Sequence, residues 1–162
     1  MPSSSGATGL DLRLHSLGLT QALMEGDGAC QFRSLADQIL GSQIHHRLVR
    51  AAVVRHIRAH ADFFGLFFDS PHELQKYIQI MACPRTWGDE LTLRAAVEVY
   101  QCVAHVITSE AANWYLVYRP DAEMLGASLT SPTPSVDSGK EIIIAYVSPI
   151  HYNAVRVARR RV

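Results

Sequence analysis

The chain is 162 residues long, 48% of them hydrophobic and 19% charged, with a mean hydropathy of +0.05. This is one domain's length with enough apolar side chains for a buried core, which excludes an intrinsically disordered chain. Fifteen basic and fifteen acidic side chains cancel to a formal charge of zero, so no nucleic-acid partner is expected, because such binders carry a basic excess. Thirteen of the fifteen basic residues are arginine; the lysines are Lys76 and Lys140. Cys30, Cys83 and Cys102 are an odd number at wide spacing, which argues against a disulfide framework or a four-cysteine metal site and for a reducing, intracellular (cytoplasmic or nuclear) compartment. The apolar runs at 63–68 and 142–147 fall far short of the ~20 residues that span a bilayer, so no membrane association is expected.

Residues 1–9 have neither a basic n-region nor an apolar h-region and read as a flexible leader. Leu10 to Leu17 predicts a short helix stopped by Gly18, followed by an extended stretch from Leu19 to Met24 and a loop at Glu25-Gly26-Asp27-Gly28. Phe32, Leu35, Ala36 and Ile39 then repeat at i, i+3, i+4 and i+7, with Arg33, Ser34, Asp37 and Gln38 on the other side: an amphipathic helix from Cys30 to Gly41. A longer helix over His45 to His60 buries Val49, Val53 and Ile57. The 63–68 cluster reads as a packed connection. Pro71 opens the next helix, which Pro84 ends, and Asp89 caps a further one bearing Leu93, Ala96, Val97 and Tyr100.

Beyond Gln101 the texture changes to strands: Cys102 to Thr108, Trp114 to Tyr118, Glu141 to Val147 and Tyr152 to Val157 are rich in Val, Ile and Tyr. Residues 126–139, rich in Ser, Thr, Pro and Gly, read as a surface loop. Helices followed by strands predict an α+β fold in which a mainly antiparallel sheet packs between helices. The domain is placed at 10–157, and 158–162 is a basic tail.

Two segments are chemically loaded. In Gly26-Asp27-Gly28-Ala29-Cys30-Gln31-Phe32-Arg33 a cysteine sits where a glycine-containing loop enters a helix. The free N–H groups and positive end of the helix dipole favour a thiolate, and the loop N–H groups can face a reacting carbonyl as an oxyanion hole. The competing reading is an inert buried thiol. In Ser148-Pro149-Ile150-His151-Tyr152-Asn153 a proline turn holds a histidine at the sheet rim, and Asn153, two residues on, shares its side. An amide oxygen there can orient the imidazole and leave its other nitrogen for a thiol.

These segments resemble the ovarian tumour (OTU) family of cysteine deubiquitinases. Residues 26–33 resemble its nucleophile motif, usually Gly-Asp-Gly-Asn-Cys before a large residue and Arg. Trp87-Gly88-Asp89 resembles its Trp-Gly segment, and His151-Tyr152-Asn153-Ala154-Val155 its C-terminal histidine motif. The resemblance implies a papain-like OTU cysteine protease fold and an enzyme without metal or cofactor. It makes Cys30 the nucleophile, His151 the general base and Asn153 its orienting partner. Asp27 shapes the oxyanion loop (Asp27, Gly28, Ala29 and Cys30) or serves as the acidic member of the catalytic group. Trp87, Gly88, Ile150 and Tyr152 are the implied substrate-binding residues. Ala29 departs from the family's Asn and removes whatever hydrogen bond that side chain made. The implied reaction is hydrolysis of isopeptide bonds at the C-terminal glycine of ubiquitin through a thioester. The partners would be ubiquitin or polyubiquitin conjugates, met by a monomer. The alternatives are a protease for a ubiquitin-like modifier and a catalytically weak ubiquitin-binding module.

Asp62, Asp69, Glu73 and Glu90 are candidates to meet the arginines of ubiquitin's tail, or are simply solvated charges. His56 and His60 stand at i, i+4 without the glutamate or third ligand of a zinc motif and read as solvent-exposed. His45-His46 reads as a polar helix start, Cys83 and Cys102 as buried inert thiols, Trp87 as either core or cleft, and Arg156 with Arg159–Arg161 as a solvated basic end. Ser131-Pro132 and Thr133-Pro134 are weak phosphorylation signals.

Overall fold

A computed structural model describes residues 5–120 and 140–158. Among these, the chain order is helix α1 (Ser5–Ser16), strand β1 (Leu19–Ala22), α2 (Cys30–Leu40), α3 (His46–Ala59), α4 (Ala61–Phe64), α5 (Pro71–Met81), α6 (Glu90–Tyr100), β2 (Val103–Thr108), β3 (Tyr115–Tyr118), β4 (Glu141–Val147) and β5 (His151–Val157). Short 3-10 turns at Gln43–His45 and Gly65–Phe67 link α2 to α3 and α4 to α5.

Local chemistry sets the boundaries. Gly18 and Gly41 end α1 and α2 in the left-handed region, which a Cβ would disfavour. The Ser70 hydroxyl accepts the Glu73 N–H ahead of Pro71, and Asp89 and Thr92 form a reciprocal capping box on α6. α1 begins at Ser5, five residues before the expected Leu10. Residues 1–4, the Ser/Thr/Pro loop of 126–139 with its Ser-Pro and Thr-Pro sites, and Arg159–Arg161 lie outside the described residues.

The five strands form one sheet in the order β1-β5-β4-β2-β3; β2 and β4 run parallel and the other neighbours antiparallel. Period-2 alternation divides its side chains between two cores. Ala104, Val106, Ile142 and Ile144 join Phe32, Leu35, Val49, Val53 and Leu93 beneath α2, α3 and α6. Ile107, Ala145 and Val155 face the other way, onto Leu10 and Leu14 of α1. The sheet therefore lies between helices, as expected for an α+β chain, and β5, set between β1 and the central strand β4, has α2 across it.

Candidate active site

Cys30 is the first residue of α2, and the loop before it is closed by charge. The Asp27 carboxylate accepts the Ala29 N–H (3.1 Å) and two bonds from the Arg33 guanidinium (3.1 and 2.7 Å), while Glu25 meets Arg33 at 3.0 Å. The Arg33 hydrogen bonds hold the Asp27 carboxyl well below the usual carboxylate range. Gly28 stands at φ +87, with its α-carbon against the Arg85 carbonyl. No side chain caps α2 at Ala29, and the Cys30 and Gln31 N–H groups of its first turn find no acceptor among the described residues. Cys30 is 8% exposed, packs with Met24 and Ala154, and its sulfur accepts the Tyr152 N–H at 3.5 Å.

His151 opens β5 after the turn holding the cis Ser148–Pro149 bond. Its Nε2 lies 2.9 Å from Asn153 Oδ1. The same oxygen accepts the Met24 N–H (2.9 Å), a backbone group that can only donate, while Asn153 Nδ2 donates to Gln21 Oε1 (2.8 Å). The amide's orientation is thereby fixed. His151 donates from Nε2–H, and in its neutral form the lone pair sits on Nδ1.

A second wall comes from residues 85–89. A Cβ on Gly88 would stand 2.3 Å from Gln31 Oε1, so a side chain here would have to displace the Gln31 amide from its place at the start of α2. Gln31 is buried, donates to the Asp89 carbonyl (2.9 Å) and accepts the Thr92 hydroxyl (2.6 Å). The Tyr77 hydroxyl donates to the Asp89 carboxylate at 2.9 Å. Arg50, buried with its guanidinium 4.1 Å over the Phe32 ring, donates to the carbonyls of Met81, Pro84 and Thr86 at 2.8–2.9 Å. Trp87 projects from this wall with 58% of its surface exposed, which removes the core reading, and Ile150 is exposed at 53%. Tyr152 stacks on Tyr146 with ring centroids 4.4 Å apart; burial keeps its hydroxyl protonated far above the usual phenol range, with Gln31 opposing.

The structure thus brings Cys30, His151 and Asn153 together around the α2–β5 contact. Asp27 stands in the same loop with its bonds on Arg33 and Ala29 and none on His151. Asp62, Asp69, Glu73 and Glu90 are exposed and bond to no member of this group. A groove of about 490 Å³ lined by Phe68, Leu74 and Ile78 shares no residue with it.

Several expectations are corrected. His56 is half-buried with Nε2 2.6 Å from a carboxylate oxygen of the buried Glu98, and the His60 ring lies against it, tilted 35° with centroids 4.1 Å apart, so His56 is an internal contact of α3 with α6 and not part of a solvated face. His46 opens α3 as expected, but it is buried. Cys83 is exposed, while Cys102 is buried and its thiol is pushed up to about 11 by burial. Arg33 and Ser34, placed on the polar side of α2, are buried. Arg156 is no solvated tail residue: it lies in β5 and donates to Asp37 of α2 at 2.7 Å. The sequence reading missed Gln21, Gln31 and Arg50, whose one available signal is a polar side chain at a buried or strand-facing position.

Residues 25–153 match the family described as OTU-like cysteine protease. The OVARIAN TUMOR DOMAIN-containing deubiquitinating enzyme 10 of Arabidopsis thaliana is 29% identical over 147 residues, covering 91% of this chain and 37% of that protein. The chain therefore spans little more than a third of that relative's length. A solved OTU domain of OTUD1 superimposes with a TM-score of 0.74 at 20% identity, covering 94% of this chain and 95% of that one. A second, an OTU domain in complex with ubiquitin, gives 0.63 at 16% identity over 85% of this chain and 69% of the other. The chain belongs to the OTU-like cysteine protease family, and its fold is that of an OTU domain.

Proposed function

We propose that this chain is a deubiquitinase that cleaves the bond between the C-terminal glycine of ubiquitin and a lysine amine, with Cys30 as nucleophile, His151 as base and acid, and Asn153 as the group that orients it. The observation that carries the reading is the fixed Asn153 amide. Its oxygen, set by the Met24 N–H, holds His151 by Nε2 at 2.9 Å and leaves Nδ1 as the proton acceptor, while the N–H of the next residue, Tyr152, meets the Cys30 sulfur at 3.5 Å. In the reaction Nδ1 takes the thiol proton and sulfur attacks the glycine carbonyl carbon. The tetrahedral intermediate collapses to a thioester as the imidazolium protonates the leaving amine. Water, deprotonated by the same nitrogen, then releases the carboxylate and the thiol.

Asp27 acts on the loop and not on the imidazole, since both its oxygens are engaged by Arg33 and Ala29. That clamp supplies the order that Ala29 cannot. With the Ala29 N–H held by Asp27, the loop donors left for the oxyanion are the Gly28 and Cys30 N–H groups, near the positive end of α2. Gly88 against Gln31 narrows the approach for a glycine tail, with Trp87, Ile150 and Tyr152 as its apolar sides. The solved OTU domain bound to ubiquitin supports the choice of modifier.

Ubiquitin and ubiquitin-like modifiers bearing a C-terminal electrophile test the reading. We expect a covalent adduct with ubiquitin that Cys30→Ala abolishes and His151→Ala nearly abolishes. An adduct surviving Cys30→Ala refutes the nucleophile; an adduct with a ubiquitin-like modifier alone reassigns the substrate; binding without any adduct reassigns the chain as a ubiquitin-binding module.

A further inference from the structure

We propose that Asp11 and Gln21, on α1 and β1, are positioning residues that set the tautomer of His151 through Asn153. The inference rests on the catalytic reading of His151. Both residues precede the 25–153 segment that matches the family.

The argument is one of hydrogen-bond polarity. An ionised carboxylate only accepts, so Gln21 turns its amide nitrogen to Asp11 (Nε2 to Oδ1, 2.6 Å) and its oxygen the other way. That oxygen faces the Asn153 nitrogen at 2.8 Å, which turns the Asn153 oxygen to His151 Nε2 at 2.9 Å. Four side chains from three elements thus form a directed chain ending on the imidazole. The sheet register builds it: Gln21 pairs with Val155 across the β1–β5 ladder, so Gln21 and Asn153 are diagonal neighbours on one face, and His151 is two residues further along β5. The face is the one α1 packs on, which brings Asp11 to the end of the chain. Inverting the Asn153 amide would place a donor against Nε2 and drive the proton to Nδ1, the nitrogen the reaction needs bare. The Met24 N–H resists this from one side and Gln21 from the other. Asp11 is exposed and Gln21 half-buried, so Gln21 holds the stronger link.

The test uses the full chain with ¹⁵N-labelled histidine. Long-range ¹H–¹⁵N spectra read the His151 tautomer directly, and the pH profile of Cys30 alkylation by iodoacetamide, followed by peptide mass spectrometry, reads the thiol–imidazole pair. Neither needs ubiquitin. In Gln21→Leu we expect His151 to lose its uniform Nε2–H form, the Cys30 alkylation profile to shift, and both alkylation and ubiquitin hydrolysis to slow by about tenfold, the scale of one lost hydrogen bond. Gln21→Glu keeps an acceptor for Asn153 but sets two carboxylates face to face. Combining it with Asp11→Asn restores the polarity, because the new carboxylate accepts from both amides, and should return the tautomer and the rates to near wild type. These isosteric variants carry the test if Gln21→Leu does not fold. A wild-type His151 spectrum and alkylation profile in Gln21→Leu overturns the proposal, even where hydrolysis falls. So does failure of the double variant to recover them. If wild-type protein leaves ubiquitin uncleaved, the function is refuted while the spectra still decide the relay.

Discussion

Replacing Gly28 with alanine is the sharpest probe of the loop before Cys30. The added methyl would lie 2.3 Å from the Arg85 carbonyl oxygen, and 3.0 and 3.1 Å from two more backbone atoms of the same residue, at a φ of +87. The two effects are separable. A left-handed conformation costs an L-residue about 1–2 kcal/mol, and forcing atoms into a filled space costs about 1–3 kcal/mol more, giving about 2–5 kcal/mol. Relief by moving the Arg85 segment is opposed by Arg50, which grips the carbonyls of Pro84 and Thr86 on either side. Relief by moving residue 28 displaces Cys30. Urea unfolding followed by tryptophan fluorescence should show the full loss, and ubiquitin-probe labelling should fall more than tenfold at a denaturant-free temperature where the variant is folded. Gly26→Ala is the internal control, because a Cβ there meets nothing within 4 Å; it should leave both readouts unchanged. Gly28→Ala within about 0.5 kcal/mol of wild type, the scale of an ordinary surface change, would refute the reasoning.

Asp27 makes stability depend on acid: its folded pKa is depressed by Arg33, so its contribution is complete above the ordinary aspartate range and is lost as pH falls through and below it. Asp27→Asn should therefore flatten the acid side of a stability–pH curve and change little at neutral pH beyond the lost ion pair; an unchanged acid limb would contradict the clamp. At neutral pH, iodoacetamide should modify exposed Cys83 and leave Cys102, pushed up to about 11, intact in the folded protein; peptide mapping that finds Cys102 modified as fast as Cys83 would count against its burial. His56→Ala should destabilise by about 3 kcal/mol in chemical denaturation, because it strands a buried carboxylate, and adding Glu98→Leu should recover much of that loss; additive losses would show the pair uncoupled.

The elements of this fold are local events, which is why the sequence reveals them. The 3.6-residue spacing of Phe32, Leu35 and Ala36, the capping residues Ser70 and Asp89 and the β-branched runs of β2 and β4 each act within a few residues. Cys30, His151 and Asn153 are legible because a helix entry and a period-2 strand dictate their surroundings. Pairings between distant residues leave no such trace. Nothing near His56 announces Glu98, 42 residues away, and nothing in a strand pattern makes β2 and β4 parallel neighbours. A polar residue such as Gln31 or Arg50 follows the rule for exposure until a distant carbonyl supplies its partner. Cys83 failed for the opposite reason: burial is a cysteine's common state, but α5 ends at Met81 and the thiol follows it into the exposed turn.

The first turn of α2 departs furthest from the amphipathic rule, and the departure has a physical meaning. Four neighbouring residues, separated by about 100° each, point in four directions. Cys30 faces β5, Gln31 the start of α6, Phe32 the core under Arg50, and Arg33 the loop behind it. All four are buried, while further along the helix Asp37, Gln38 and Ile39 are only partly so. A helix held on one side can slide or roll; one held on four sides can do neither without breaking a hydrogen bond to a buried group, at a cost of about 1–3 kcal/mol each. The polar residues at this turn therefore stand where a helix designed for stability alone would carry apolar ones, and what they secure is the placement of the Cys30 sulfur against β5. On the proposed mechanism, reaction geometry and folding free energy are drawn from the same contacts, so substitutions at Gln31 or Arg33 should lower both together, whereas Gln21 and Asp11, acting on the polarity of the imidazole, should separate them.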